Sequence, residues 1–542
     1  MKKVIVQHRR NLSPLSSISF VKGQSGELKN LQKFDNLILK KGKAGMKQTF
    51  KKAATAAIFV LISTSMMAPL SFAQLLQEQE KETTLLSKEQ LQETEAFHIG
   101  VLAYLWGYPL VMNHNHRLAM SAVEKPLPSG IYAPLNVLNP SRRLLGPEWN
   151  ARFAVHEVIF GQVWLDLSEE PMVMEIPDDH GGRYFSMSFY DYRGDLIRTI
   201  GTRATGGKGG EFLLVGPHFR GESFPTLNVI PCPTRYVYGQ GRIVVKKEDP
   251  AEIATVVNIM RQYYSVIPYS RWLDPSLPPK PFQSSEKVNP GLVPQDLQFF
   301  HILGETMKIV SPREEERGMY ALFKTIGLSE HGFAYGALGE HTKAGLKKAV
   351  PEARQMMVSR AQSLFTYTSG WFYPTLATGW SGLRFLDRAA MCYAFDPFAG
   401  LAAEQLCPRT NTDIHGEKLD GAKKRYKLHF KDGLPPVDGA WALTLYDNNG
   451  IMFGNPANRY SISSITSGLE YHKDGSLTIL IQADEPTDQK EKCNWLPAPK
   501  GEFWLMLHLW QPKDKALKGK WKLPGVEPTN DLMHRNKPSL LK

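Results

Sequence analysis

The chain has 542 residues and a formal net charge of +12, but residues 1–73 alone hold 13 Lys/Arg against 2 Asp/Glu. From residue 74 onward 52 basic side chains face 51 acidic ones, about +1, so net charge gives no support to nucleic-acid binding, which needs a concentrated basic surface. Four cysteines, Cys232, Cys392, Cys407 and Cys493, none in a C-x-x-C pair, exclude a disulfide scaffold but leave one or two disulfides permissible.

In chain order, "MKQTFKKAATAAIFVLISTSMMAPLSFAQ" has the build of a secretory signal peptide over residues 46–73. Lys47, Lys51 and Lys52 are its positive region, Ala53 to Leu70 its apolar core, and Ser71-Phe72-Ala73 its cleavage site. An exported protein, periplasmic or secreted, is expected, with the membrane met only transiently. Residues 1–45 have no helical or strand period and read as an upstream extension, with Met46 the expected true start. Residues 74–125 carry leucines and aromatics at helical spacing, predicting one or two helices ended by Gly107 and Pro109.

Within 126–250 six β-type runs follow at short spacing: "VIFGQVWLDL", "PMVMEIP", "RYFSMSFYD", "LIRTIGTRA", "EFLLVGP" and "TRYVYGQGRIVV". Residues 251–370 form a connector, Pro/Ser-rich at first and helical in spacing from 295 to 365. Strands resume in 371–530 with "RYKLHF", "AWALTLYD", "RYSIS", "LTILIQA" and "FWLMLHLWQP". The expected fold is mainly β with helical segments: two antiparallel β-sandwich, jelly-roll-like domains joined by a helical connector.

Familiar catalytic motifs fail on their spacing. "HEVIFG" at His156 has Phe160 where a zinc protease needs its second histidine. The glycine-rich run Gly201 to Glu211 has Gly209 where a phosphate loop needs Ser or Thr, so a hairpin connection is expected. His114 and His116 would face one way on an extended strand, but with no third ligand in view no metal is assigned. Asp178/Asp179, and Asp191 with Asp195 in "YDYRGD", have the chemistry of an acid/base pair, while aspartates in such turns more often bond their own backbone.

Two regions carry a resemblance. "YLWGYPLV", "WLDLSEEPMVMEIPD", "RYFSMSFYDYRGDLIRTIGTRATGG" and "TRYVYGQGRI" resemble the domain of unknown function numbered 1254. "GEKLDGAKKRYKLHFKDGLPPVDGAWALTLYDNNGIMFGNPANRYSI" and "NWLPAPKGEFWLMLHLWQPK" resemble domain 1214, its common partner in bacterial proteins. The resemblance implies two β-sandwich-like domains joined by helices and brings no reaction class and no cofactor. "AVHEVIFGQVWLDL" departs from the acidic run usual before the "WLDL" strand, and His508 stands where the family usually has Arg.

The cluster Asn455 to Tyr460 suits either a loop clasp or a ligand site. In the second case Asn458, Arg459 and Tyr460 are expected to line an inter-domain cleft with Arg183, Tyr184 and Arg388, offering planar donors to a small polar or carbohydrate-like ligand. Trp371, Tyr373 and Trp380 are candidates to stack on a sugar face. Two other classes stay open: a hydrolase or lyase using a carboxylate and a histidine, and a structural or assembly protein of the cell envelope. A homo-oligomer is compatible with each.

Overall fold

The computed structural model describes residues 85–220, 227–289, 291–374, 379, 381–395 and 397–531. The expected leader 46–73, the extension 1–45 and Trp380 lie outside the described residues. The fold is mixed, 29% helix and 26% strand, so helices are structural partners of the sheets and not only links between them. Among the described residues no helix is long and apolar enough to cross a membrane.

Helix α1, Lys88–Ser121, opens with a capping box: Ser87 Oγ accepts from the Gln90 amide at 3.2 Å, and Gln90 Oε1 accepts from the Ser87 amide at 2.9 Å. Contrary to the sequence expectation it continues through Gly107 and Pro109. Proline removes one helical hydrogen bond, but Trp106, Leu110 and Val111 on either side are buried in one apolar cluster, and that packing offsets the loss. Gly107 is needed for contact, since a Cβ there would sit 2.5 Å from the Leu303 side chain.

The first β region comprises β1 (Val158–Asp166), β2 (Met172–Ile176), β3 (Phe185–Tyr190), β4 (Leu196–Gly201), β5 (Gly210–Val215), β6 (Asn228–Pro231) and β7 (Tyr236–Val244). Helix α2 (Pro250–Tyr263), β8 (Ser265–Pro268) and α3 (Tyr269–Leu273) complete it. The six predicted runs are β1 to β5 and β7; β6 and β8, four residues each, were too short to show a period. Strand orders are β1-β7-β3-β4 and β6-β5-β2-β8. The second sheet holds a parallel pair, β5 with β6, so the set is not purely antiparallel as expected.

Alternation along these strands fixes the layers. Val163, Leu165, Phe185, Met187, Phe189 and Val237 join Met174, Phe212 and Leu214 of the other sheet in one cluster. The opposite face of the first sheet, with Trp164, Tyr190 and Tyr238, joins Trp106 and Leu110 of α1 in another. A sheet covered on both sides explains why β1 reads as an almost continuous apolar run.

The connector forms α4 (Gln298–Met307), α5 (Arg317–Thr325), the short pair β9 (Leu328–Ser329) and β10 (Gly332–Phe333), and α6 (Glu340–Ser363). Helix α6 lies against α1 closely enough that a Cβ on Gly345 would meet the Glu93 carbonyl oxygen at 2.3 Å. The second β region follows: β11 (Phe365–Thr368), β12 (Trp371–Pro374), α7 (Phe385–Ala394), β13 (Gln405–Leu406), β14 (Arg409–Thr410), β15 (Lys424–Phe430), β16 (Trp441–Asp447) and β17 (Ser461–Ser463). It ends with β18 (Leu477–Gln482), α8 (Gln489–Cys493), β19 (Trp495–Pro497), β20 (Phe503–Trp510), α9 (Asp514–Leu517) and β21 (Glu527–Asp531).

Leu443 and Leu445 of β16 and Leu505, Leu507 and Leu509 of β20 face Leu428, Phe430, Ile479 and Ile481 across one core. Trp510, of opposite parity, enters the core of the first β region instead. There its Nε1 donates to Glu157 Oε1 at 2.7 Å, while Tyr446 donates to the Ala154 carbonyl at 2.8 Å. The two β regions therefore meet through buried, directional contacts.

Candidate functional site

The hairpin turn between β3 and β4, Tyr190 to Asp195, organises two polar constellations. Asp191 shapes the turn, its Oδ1 accepting from the Arg193 and Asp195 amides at 2.8 and 3.0 Å, and Gly194 takes φ +84°. On one side, Asp191 and Asp195 both accept from Arg313 Nη2, at 3.1 and 2.6 Å. Arg193 Nη2 donates to Glu316 Oε2 at 3.0 Å, and Glu316 Oε1 accepts from Trp106 Nε1 at 3.2 Å. Burial and then the neighbouring Asp195 carboxylate raise the Asp191 pKa. Burial pushes Glu316 upward too, but Arg193 and the donors around it outweigh burial, and its carboxyl is held below the ordinary value. Asp191, Asp195 and Arg313 border a cavity of about 390 Å³.

Tyr192 faces the other constellation. Its hydroxyl oxygen accepts from Arg117 Nε at 3.0 Å and lies 3.3 Å from His114 Nδ1. Arg117 Nη1 donates to Ser285 Oγ at 2.6 Å, Ser285 and Ser121 hydroxyls are 2.6 Å apart, and Ser121 Oγ donates to the Arg117 carbonyl at 2.6 Å. The only consistent direction for this ring is Arg117 to Ser285 to Ser121 to the Arg117 carbonyl. The Arg117 guanidinium also lies 4.2 Å from the Tyr236 ring centre. His114, Arg117 and Ser121 come from successive turns of one α1 face, and Asn113 Nδ2 ties α1 to the hairpin through the Tyr192 carbonyl at 3.1 Å. Of these, His114, Arg117, Tyr236 and Ser285 line a groove of about 420 Å³, with Arg235, Lys287 and Lys308 also on its wall.

The residues singled out in the sequence go to separate places. Arg183 makes a bidentate pair with Glu252, 2.8 and 2.6 Å. Tyr184 donates to Glu404 Oε2 at 2.9 Å. Arg388 is buried on α7, 3.6 Å from Asp195, with no hydrogen bond from any guanidinium nitrogen. Arg459 Nη1 donates to the carbonyls of Lys492, Cys493 and Trp495 at 2.9, 3.3 and 3.0 Å, closing the end of α8. Asn455 bonds the Phe453 and Arg459 carbonyls, and Tyr460 donates to Asn458 Oδ1 at 3.1 Å. That loop is bonded to itself and to its neighbour.

His114 and His116 lie on helix α1, not on a strand, so two residues separate them by about 200° and they face apart. His116 Nδ1 accepts from Trp164 Nε1 at 3.2 Å. Among the described residues no group of three or more His, Cys, Asp or Glu is placed to hold a metal. Trp371 is fully buried, its Nε1 donating to the Pro524 carbonyl at 2.8 Å, and presents no free face. Cys232, Cys407 and Cys493 are thiols without a disulfide among the described residues. Cys407 lies 3.8 Å from His508, yet burial pushes the thiol up to about 12 and the imidazole down to about 3, so the pair is neutral. Sequence reasoning missed Arg117, Tyr192, Tyr236 and Ser285. The spacing of His114, Arg117 and Ser121 carried a signal once the helix ran past Pro109, but Ser285 left none.

Residues 135–266 match the family described as protein of unknown function (DUF1254), and residues 404–514 the one described as protein of unknown function (DUF1214). Among solved structures, the VPA0106 protein of Vibrio parahaemolyticus is 21% identical, over 80% of this chain and all of that one, with a TM-score of 0.60. A putative uncharacterized protein from Burkholderia cenocepacia is 10% identical over 81% of this chain and 92% of that one, with a TM-score of 0.36. The first likeness shows a shared fold. No curated protein matches.

Proposed function

The chain joins a DUF1254 region to a DUF1214 region, and on that premise we propose that it is an exported protein that binds a small polar ligand in the groove between α1, the first β region and residues 283–289. The β regions are read as two sandwich-like halves, and the groove lies at the helical face of the first. One observation carries this reading. Arg117, 4% exposed, stands on the groove wall held by Tyr192 and Ser285, and no carboxylate among the described residues pairs with it. A buried cation costs several kcal/mol unless compensated, and a rigid donor held by neutral groups without a counter-ion beside about 420 Å³ of space is what an anionic or polar ligand requires.

The test is a thermal-shift screen of the purified protein against small polar metabolites, neutral and charged, together with free glycans. A saturable rise in Tm with at least one compound, lost on widening the groove wall with Ser285→Ala, is expected; a flat response across the screen refutes the reading. Export is tested separately by sequencing the mature N-terminus, expected at Gln74.

A second reading is favoured by the raised Asp191 pKa beside Asp195 and a cavity of about 390 Å³: acid/base hydrolysis or elimination there. It predicts that Asp195→Asn abolishes turnover of any substrate found, while ligand binding in the groove persists.

A further inference from the structure

Resting on the groove reading, we propose that the ligand carries a single carboxylate, received by the Arg117 guanidinium and the Nε2–H of His114. The proton positions follow from the hydrogen-bond network. Arg117 Nε donates to the Tyr192 oxygen, so the Tyr192 hydrogen goes to His114 Nδ1. His114 is kept neutral first by burial and then by the adjacent Arg117 charge, which lower its pKa to about 4. A neutral imidazole that accepts at Nδ1 carries its proton on Nε2. That nitrogen is buried with no partner among the described residues, so an N–H donor stands idle three residues from a guanidinium that no described carboxylate answers, on one helix face.

Charge counting selects a monoanion. Arg235 is answered by Asp166 at 2.6 Å and Lys308 by Glu305 at 2.6 Å. On the rim, exposed Lys287 and Glu286 cancel. Among the described residues of the wall, Arg117 is then the one charge without a counterpart, so a carboxylate neutralises the groove while a phosphate dianion overshoots. Arg117 Nε and Nη1 are already engaged by Tyr192 and Ser285, so one carboxylate oxygen is received at Nη2 and the other at His114. Nη2 stays oriented because the Ser285–Ser121 ring and the Tyr236 face fix the guanidinium before anything binds. Leu135 and Ile309 on the same wall offer apolar surface to the body of the acid.

The experiment is calorimetric titration of the full purified protein with matched acid and amide pairs, acetate with acetamide, propionate with propionamide and benzoate with benzamide, and with inorganic phosphate. The acids are expected to bind and the amides not. Arg117→Met is expected to weaken the best acid roughly 10-fold or more, as loss of a charged hydrogen bond does. Because a buried variant can fail to fold, two others bracket it. His114→Gln, which keeps a neutral N–H donor, is expected to retain binding within about threefold, and His114→Phe to lose about 10-fold. Amides binding as well as acids, phosphate binding in preference to acids, or a folded Arg117→Met binding unchanged would each overturn the carboxylate assignment. If a neutral compound binds in the groove and no acid does, the groove reading stands and this one falls; if nothing binds, both fall.

Discussion

The two sides of the Tyr190 to Asp195 turn treat buried charge in opposite ways. On one side Asp191, Asp195 and Glu316 answer Arg193 and Arg313, and the pairs close on each other. On the other, Arg117 is also buried but held by a phenol, a serine and an aromatic face, with no anion among the described residues. A closed ion cluster stiffens a junction between β hairpin and helices; an orphan cation beside empty space is an unfinished interaction. The lesson is that burial and charge alone do not mark a functional residue, whereas the absence of a partner at a cavity wall does.

The largest expected effect tests the closed side. Glu316→Ala takes the nearest carboxylate from Arg193, whose side chain is 1% exposed, leaving it Asp191 at 4.0 Å and the Ser311 carbonyl, and is expected to cost about 3 kcal/mol in urea unfolding, the usual result of breaking one half of a buried pair. A cost below about 1 kcal/mol would mean that the cluster is not what holds the junction.

A third solution to buried charge sits between the β regions. Glu157, 0% exposed and bonded to Trp510, has its pKa pushed up to about 7, first by burial. Its folded pKa lies above the unfolded value, so the native state holds a proton that the unfolded chain has released between about pH 4.5 and 7. Stability from this group is therefore full below the unfolded pKa and falls as pH rises through the folded one, by about 3 kcal/mol at most. Comparing urea midpoints at pH 5 and pH 8, Glu157→Gln is expected to flatten this slope; an unchanged slope would assign it to other groups.

Smaller effects sharpen the contrast. Arg459→Ala removes three bonds to the end of α8 and is expected to cost about 1–2 kcal/mol, leaving ligand titrations as they were. Arg117→Met is expected to change stability by about 1 kcal/mol or less without ligand, because removing an uncompensated cation relieves desolvation while it loses two hydrogen bonds. Should it destabilise as strongly as Glu316→Ala, Arg117 belongs to the scaffold and the comparison fails.

Much of the fold was legible in sequence. The six early runs and five late ones lie on strands because alternation and β-branched or aromatic content survive in a linear reading. Helix α1 was cut short because Pro109 is a helix breaker in isolation, and only the packing around Trp106 and Leu110 overrides it. That shortening hid the site: with the helix ended, His114, Arg117 and Ser121 no longer share a face. Arg183, Tyr184, Arg388 and Arg459 were chosen as planar donors, but a donor's value depends on whether its partner is already present. Glu252, Glu404 and the α8 carbonyls are far from them in sequence.

The sequence by itself determined the two β regions, the helical stretch between them and the charge balance, since each follows from local periodicity or composition. Tertiary structure alone decided which buried charges meet counter-ions and that Arg117, held by neutral groups, stands at a groove wall. That choice depends on residues 114, 117, 236 and 285 meeting at one groove and on Tyr192 bonding Arg117 and His114, and pairing between distant residues leaves no period in the chain.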